Sequence, residues 1–354
     1  IGKLANLTEL YASCNQISSL PSTFHKLKKL KILDLGCNNL SKVSELSKLK
    51  NLRWIDLSYN PNLKSIPKFD DIEQNLMALH VFGCPKLTSI PSKLHHYSHI
   101  NMTPSERFVV SVADMRGRRD TMEDSMVIRG KFTGNPDWDF FCVLDGHGGQ
   151  RVAEFGGEEL ASRIEHLLIK TNCKNPADVL NVAFHKVQEA VKDTRIGIME
   201  GATIVLALFL GKELYIANAG DSRAVLSRGG HAMRLSFDHK PDCPEEEDRI
   251  CKLGGFVSDG RVNSVLAVSR VIGDFALEKW ISSTPYIQKV EIGQDDEFLI
   301  IACDGVWDVM EDQIAVNYVA RCQNPIRAAP MLRNYAHVLG SMDNISCCVV
   351  HLKQ

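Results

Sequence analysis

At 354 residues, with 44% hydrophobic and 24% charged side chains, the chain has room for more than one domain. Its balance is that of a soluble globular protein, which excludes a disordered or collagen-like chain. The formal net charge of -2 hides a division: residues 1–100 hold 13 Lys+Arg against 7 Asp+Glu, the remainder 28 against 36. An acidic second part suits a cation site and argues against a nucleic-acid groove.

No apolar stretch is long enough to span a bilayer. The 11 cysteines form no CxxC pair and no zinc-type Cys/His spacing. This odd, scattered set predicts free thiols in a reducing compartment, hence a cytoplasmic location. The chain starts at Ile1 rather than Met, so further sequence is expected upstream.

The first hundred residues repeat. Leu4, Leu7, Leu10, Ala12, Asn15 and Ile17 set a spacing that Leu27, Leu30, Leu33, Leu35, Asn38 and Leu40 follow again. A third copy runs Leu49, Leu52, Ile55, Leu57, Asn60 and Leu63; a weaker fourth runs Leu76, Leu79, Val81, Cys84 and Leu87. Leu20-Pro21, Ile66-Pro67 and Ile90-Pro91 recur on the return side. This pattern resembles the leucine-rich repeat family, which implies an α/β solenoid fragment over residues 1–94, about four repeats and N-terminally incomplete. Each repeat contributes one short strand with leucines inside and an asparagine bound to turn backbone, and needs its neighbours to bury its apolar face. The residues between the strand leucines form columns: Glu9, Ile32, Trp54, Ala78; then Tyr11, Asp34, Asp56, His80; then Ser13, Gly36, Ser58, Phe82. Tyr11, Trp54 and Phe82 are expected as aromatics on a concave face that recruits a protein partner. The competing reading has them packed on neighbours within the sheet.

Ser92 to Glu106 lose both periodicities and contain Pro104, so residues 95–106 read as a linker. His95, His96 and His99 lie near no carboxylate or thiol and read as linker surface. From residue 107 strands and amphipathic helices alternate in pairs. Strands are expected at Val109–Ala113, Met126–Phe132, Ala202–Leu210, Glu213–Ala219, Arg223–Arg228 and Ile345–Leu352. Helices are expected over Gln150–Ile169, from Pro176 to Val191, after Pro244, and from about Glu311 and Pro325. The acidic run Glu245 to Asp248 reads as a solvated helix start. Hairpin-joined strands with paired helices predict a layered α+β fold.

Five acidic fragments carry the chemistry: Arg119 with Glu123-Asp124, Asp145-Gly146-His147, Gly220-Asp221, Asp304-Gly305, and Asp343-Asn344. Three follow runs that read as buried strands, Phe140–Leu144, Leu214–Asn218 and Phe298–Ala302, so loops just past them aim the aspartates. Converging carboxylates repel unless a hard cation sits between them, which points to magnesium or manganese and to phosphate chemistry.

Arg119-Asp-Thr-Met-Glu123-Asp124, Asp145-Gly-His-Gly-Gly, Gly201-Ala-Thr203, Gly220-Asp221-Ser-Arg, Asp238-His-Lys-Pro, Ser269-Arg270-Val-Ile-Gly-Asp274, Cys303-Asp304-Gly-Val-Trp-Asp308 and Asp343-Asn344 occur in series. Together they resemble the metal-dependent Ser/Thr protein phosphatases, the PPM or type-2C family, across residues 107–354. The resemblance implies a four-layer sandwich, two antiparallel sheets flanked by helices. It implies that Asp145 bridges two Mg²⁺ or Mn²⁺ ions, that the Gly146 carbonyl completes the protein contacts of one, that Asp304 and Asp343 bind the other, and that Glu123 and Asp124 hold metal-bound waters. Asp221 and Asp308 match positions for a weaker third ion, and Arg119 matches a phosphate-binding guanidinium. Phosphoserine and phosphothreonine proteins would be hydrolysed by a two-metal-activated water. His147 is the expected proton donor to the leaving oxygen, against a reading in which it caps the next helix. Cys303 reads as a buried strand residue, not a nucleophile. Ala202 stands where many relatives carry serine, and the short run after Phe275 predicts an open substrate groove. The competing function is a catalytically silent phosphatase-like scaffold acting through the repeats; a third reading gives the basic repeats an acidic or lipid surface.

Overall fold

The computed structural model describes residues 1–67, 76–88 and 100–352, and the chain divides into two compact units, Ile1–His99 and Ile100–Gln354. Ile90-Pro91 and the three linker histidines lie outside the described residues.

In the first unit, β1 (Glu9–Tyr11), β2 (Ile32–Asp34), β3 (Trp54–Asp56) and β4 (Ala78–His80) form one parallel sheet in chain order. The register pairs Glu9, Ile32, Trp54 and Ala78 in one column and Tyr11, Asp34, Asp56 and His80 in another, the columns the repeat spacing predicts. Leu33, Leu35, Leu40, Leu52, Ile55, Leu57 and Leu79 form the core beneath. The asparagines act as expected: Asn38 and Asn60 each donate to three turn carbonyls and accept from the preceding repeat's backbone, Ile17 N and Leu40 N. In the fourth repeat the Cys84 thiol takes that place, donating to the Leu57 carbonyl at 3.3 Å. Burial pushes this thiol up to about 11.

One expectation about the exposed face is corrected. Trp54 is 6% exposed, its ring edge-on to His80 with centroids 4.9 Å apart. His80 stands two residues beyond Ala78, the register partner of Trp54, and such diagonal neighbours on one face lie within reach of a large ring, which packs sideways instead of standing free. Asp34 and Asp56 are buried too, accepting from Ser13 Oγ, Gly36 N and Ser58 N. Tyr11 and Phe82 remain partly exposed.

The second unit opens with β5 (Ile100–Thr103), β6 (Val109–Met115), β7 (Ser125–Gly130) and β8 (Trp138–His147), then helices α1 (Arg151–Thr171) and α2 (Pro176–Thr194). Next come β9 (Gly201–Leu210), β10 (Glu213–Ala219), β11 (Arg223–Arg228) and β12 (His231–Arg234). Helix α3 (Pro244–Lys252) leads to a small hairpin, β13 (Val257–Ser258) with β14 (Arg261–Val262), and to β15 (Ile272–Gly273). The chain finishes with β16 (Tyr286–Glu291), β17 (Asp296–Ala302), the short α4 (Asp304–Trp307), α5 (Asp312–Ala320), α6 (Ala328–Val338) and β18 (Ile345–His351).

Two large sheets result. One runs β16-β10-β9-β8-β7-β5 with β15 on β9; the other runs β12-β11-β17-β18-β6. All neighbours are antiparallel except β5 beside β7. Strand β5 lies within residues 95–106, which the sequence reads as linker; Pro104 ends the strand rather than preceding the domain.

Alternation explains the layers. Phe140, Cys142 and Leu144 of β8 and Ile204, Leu206 and Leu208 of β9 face Leu160, Ile164, Leu180, Phe184 and Val187 of α1 and α2. A Cβ on Gly157 would lie 2.8 Å from Leu144 and 2.9 Å from Val127, so its absence lets α1 settle onto the sheet. The opposite faces of β8 and β9 pack on β17 and β18, and α6 covers β6 and β18 from outside. Asp145 and His147 share the parity of Phe141 and Val143, so they sit on the face toward the second sheet.

Helix α3 brings another correction. Its run Glu245 to Asp248 is not uniformly solvated: Glu246 is 1% exposed and accepts from both Arg249 and Arg270. Helical spacing turns one of four acids inward, where two guanidiniums meet it. Those arginines continue to the Trp280, Ser269 and Thr284 carbonyls.

Candidate metal centre and catalytic cleft

Strand register assembles the acidic fragments. Ala302 at the end of β17 pairs with Arg223 at the start of β11 and Cys347 near the start of β18. Asp221, Asp304 and Asp343 therefore leave one edge of the second sheet together. Ser125 opens β7 opposite Leu144, which places Asp124 beside Asp145 on the first sheet. Strand β8 itself continues through Asp145 to His147, pairing with Thr203 and Gly201. The sequence expected Asp145 in a loop; strand pairing with β9 holds it instead. A Thr203–Ser222 hydroxyl contact of 2.7 Å links the two sheets at this point.

Two groups share Asp145: Asp145 with Asp221 and Asp304, and Asp145 with Asp124 and Cys303, the candidate ligand atoms of each lying within 4.8 Å of one another. Burial, then the charges of Asp304, Asp124, Asp221 and Asp343, push the Asp145 carboxyl well above its ordinary range. Burial and the neighbours Asp221, Asp308 and Asp343 do the same to Asp304. Burial pushes Asp124 up to about 7. Neither Asp124 oxygen has a hydrogen bond of normal geometry, nor does Oδ1 of Asp304; the Ser346 hydroxyl and Cys303 thiol are the groups that partly relieve Asp124. Buried, unsatisfied hard oxygens facing one another fit a divalent cation.

The other expected residues are placed as follows. Gly146 is buried, approaching the Glu123 carbonyl so closely that a Cβ would lie 2.2 Å from it. Glu123 lines the cleft, Oε1 accepting from Thr121 at 3.0 Å. Asp343 does not join the two carboxylate groups: its Oδ2 pairs with Arg119 at 2.5 Å. Asp308 lies one turn beyond Asp304, exposed, beside a neighbouring groove with Arg223 and Trp307. His147 borders the cleft with Asp145 and Asp304. Cys303 is buried, and burial with the surrounding carboxylates pushes its thiol far up, as suits a structural thiol. The cleft measures about 580 Å³ and also reaches Arg261, Val265 and Met199.

Three residues gain contacts that sequence reading did not assign. Asn344 fixes the loop carrying Arg119 and Glu123: it donates to the Arg116 and Thr121 carbonyls and accepts from Glu123 N. Lys240 pairs with Asp221. Asp274 meets His147. All three stood inside recognisable motifs, but the pairings join distant segments, and no local spacing signals them.

A profile of the Protein phosphatase 2C family matches residues 108–345, and a Leucine rich repeat profile matches residues 5–61. Protein phosphatase 2C homolog 1 of Saccharomyces cerevisiae is 35% identical over 251 residues, covering 66% of this chain and 89% of that protein. Its Schizosaccharomyces pombe counterpart is 37% identical over 241 residues, covering 66% and 70%. Among solved structures, a Toxoplasma gondii serine-threonine phosphatase 2C superposes with a TM-score of 0.62 at 21% identity, covering 72% of this chain and 98% of that one. A Caenorhabditis elegans sex determining protein gives 0.64 at 24%, covering 76% and 67%. These two share the fold. No helix among the described residues is long and apolar enough to cross a membrane. With its acidic cleft at the meeting of two sheets and leucine-rich repeats ahead of it, this chain belongs to the protein phosphatase 2C family of metal-dependent protein serine/threonine phosphatases.

Proposed function

We propose that the second unit removes phosphate from phosphoserine and phosphothreonine side chains of proteins, using a cleft charged with two Mg²⁺ or Mn²⁺ ions. The supporting observation is the sharing of Asp145 between two ligand groups in which both Asp124 oxygens and Oδ1 of Asp304 are buried without a hydrogen bond of normal geometry. When bound, the ions supply charge neutralisation for the phosphoryl group and an acidified water. Asp145, Asp304, Asp343 and the Gly146 carbonyl would hold them, Glu123 and Asp124 would orient nearby waters, and Asp221 with Asp308 would take a weaker third. Arg119 turns from Asp343 to two phosphate oxygens when substrate enters, a reach its exposed side chain allows. His147 gives a proton to the departing serine or threonine oxygen, which leaves poorly as an alkoxide. The repeats stack as a solenoid and recruit a protein partner through their concave face, with Tyr11 and Phe82 as contact residues.

Phosphothreonyl-peptide hydrolysis with Mn²⁺, with Mg²⁺ and with EDTA tests this, alongside Asp145→Asn. Turnover should require either ion, and the variant should lose at least about 10³-fold with its thermal transition kept. Activity in EDTA, or a near-normal variant, would refute the assignment.

A further inference from the structure

We propose that Asp274 is a positioning residue: it binds Nε2 of His147, so that Nδ1 is the ring nitrogen that passes its proton to the leaving oxygen. This rests on the reading of His147 as the donor.

The contact is direct, Nε2 to Oδ2 at 2.5 Å, between residues 127 apart in sequence, and the Asp274 side chain is 8% exposed. A carboxylate oxygen only accepts, so Nε2 carries a hydrogen in both charge states of the ring. The proton that comes and goes is then the one on Nδ1.

The surroundings over-determine the aspartate. Its backbone is left-handed, with φ 49°, uncommon for a residue with a side chain and tolerated best by Asp and Asn. That conformation is pinned from both sides. Asp274 N donates to the Glu200 carbonyl at 2.9 Å, and Leu277 N donates to the Asp274 carbonyl at 2.8 Å. Gln188 of α2 grips Gly273 through both its N–H and its carbonyl. Strand β15 pairs Gly273 with Gly201, and β8 pairs Gly201 with His147. The imidazole–carboxylate bond consequently lies over the Gly201 Cα: a Cβ there would sit 2.1 Å from Asp274 Oδ2 and 2.7 Å from His147 Nε2. Left-handed strain, a two-point clamp and a strand position with room for hydrogen alone all serve one contact.

In the step itself the ester P–O bond breaks as phosphorus bonds the water oxygen. The departing oxygen takes the Nδ1 proton, and the proton released by that water restores the ring. Ester and water become alcohol and phosphate.

The test compares the full-length protein with Asp274→Asn, His147→Ala and the double variant, in Mn²⁺, on a phosphothreonyl peptide and on p-nitrophenyl phosphate, whose leaving group departs without a proton. An amide no longer dictates which ring nitrogen is protonated. Asp274→Asn should therefore lose at least about 10-fold more on the peptide than on the aryl ester. Added to His147→Ala, it should cost nothing further. Equal losses on both substrates, no loss, or losses that multiply in the double variant overturn the positioning role. His147→Ala alone losing equally on both substrates removes the donor reading, and the role that depends on it; that arm contains no change at Asp274, so the two failures are distinct. Should Asp274→Asn not fold, ¹⁵N-histidine spectra of the unaltered protein decide: an Nε2-protonated His147 is expected, and an Nδ1-protonated one overturns the assignment.

Discussion

Asp124 should make the metal-free protein lose stability as pH rises, and Asp124→Asn should remove that loss. Its carboxyl is 1% exposed and pushed up to about 7 by burial, with Asp343 and Asp114 adding repulsion. An unfolded aspartate titrates near 3.8. Between those values the folded protein holds a proton that the unfolded chain has released, so folding weakens with rising pH. Each unit is worth about 1.4 kcal/mol, so the full window is about 4 kcal/mol and the part between pH 5 and pH 7 about 3 kcal/mol. Urea unfolding in EDTA at pH 5 and pH 8 reads this, followed by fluorescence of Trp138, Trp280 and Trp307, three of the four tryptophans. The unaltered protein should lose about 3 kcal/mol more than Asp124→Asn between the two pH values. The repeats contribute equally to both proteins and cancel; Asp145 is raised in part by the Asp124 charge, so removing that charge lessens its share of the loss too, in the same direction. Saturating Mn²⁺ should erase the difference, since ligand binding to the folded state alone stabilises it. If the two proteins change with pH by the same amount within about 0.5 kcal/mol, Asp124 is not the strained carboxyl described above.

Glu246→Gln should destabilise by about 3–5 kcal/mol, because it leaves Arg249 and Arg270 without their shared buried acid. The arginines, outweighing burial, hold that carboxyl down to about 2, so its stabilisation is complete above about pH 4.5 and disappears as pH falls toward 2; in urea melts the gap between the two proteins should narrow by about 2 kcal/mol from pH 7 to pH 3. Trp54→Ala should cost the repeats about 3–5 kcal/mol, seen as faster hydrogen exchange at Leu33, Ile55 and Leu79; unchanged exchange would return Trp54 to the role of a free surface anchor.

Much of this molecule was legible in its sequence because two kinds of local periodicity are strong. A 22- to 24-residue leucine spacing fixes which residues stand side by side in a parallel sheet, and the columns from Glu9 to Ala78 and Tyr11 to His80 appear in register. Strand ends followed by Asp-Gly located the carboxylates, since such positions are where a sheet delivers side chains to a cleft. Burial was harder to read. Periodicity gives direction but not what lies alongside, so Trp54 was expected free and Glu246 solvated, and both are buried. Pairing across long separations was harder still: that Asp145 belongs to strand β8, that Ile100–Thr103 forms an edge strand, and that Asp343 meets Arg119 depend on partners more than 20 residues away.

Asp145 rides on the first sheet, while Asp304 and Asp343 hang from the second, and Asp221 sits on the crossing between them. An ion gripped from both sides would work as a rivet through a laminate, resisting slippage of one layer over the other. Reciprocity then runs the opposite way: whatever spreads or shears the layers, whether heat or a docked protein, would loosen the rivet and lower occupancy by the same free energy. Catalytic competence in such a design doubles as a gauge of how tightly the laminate is pressed together.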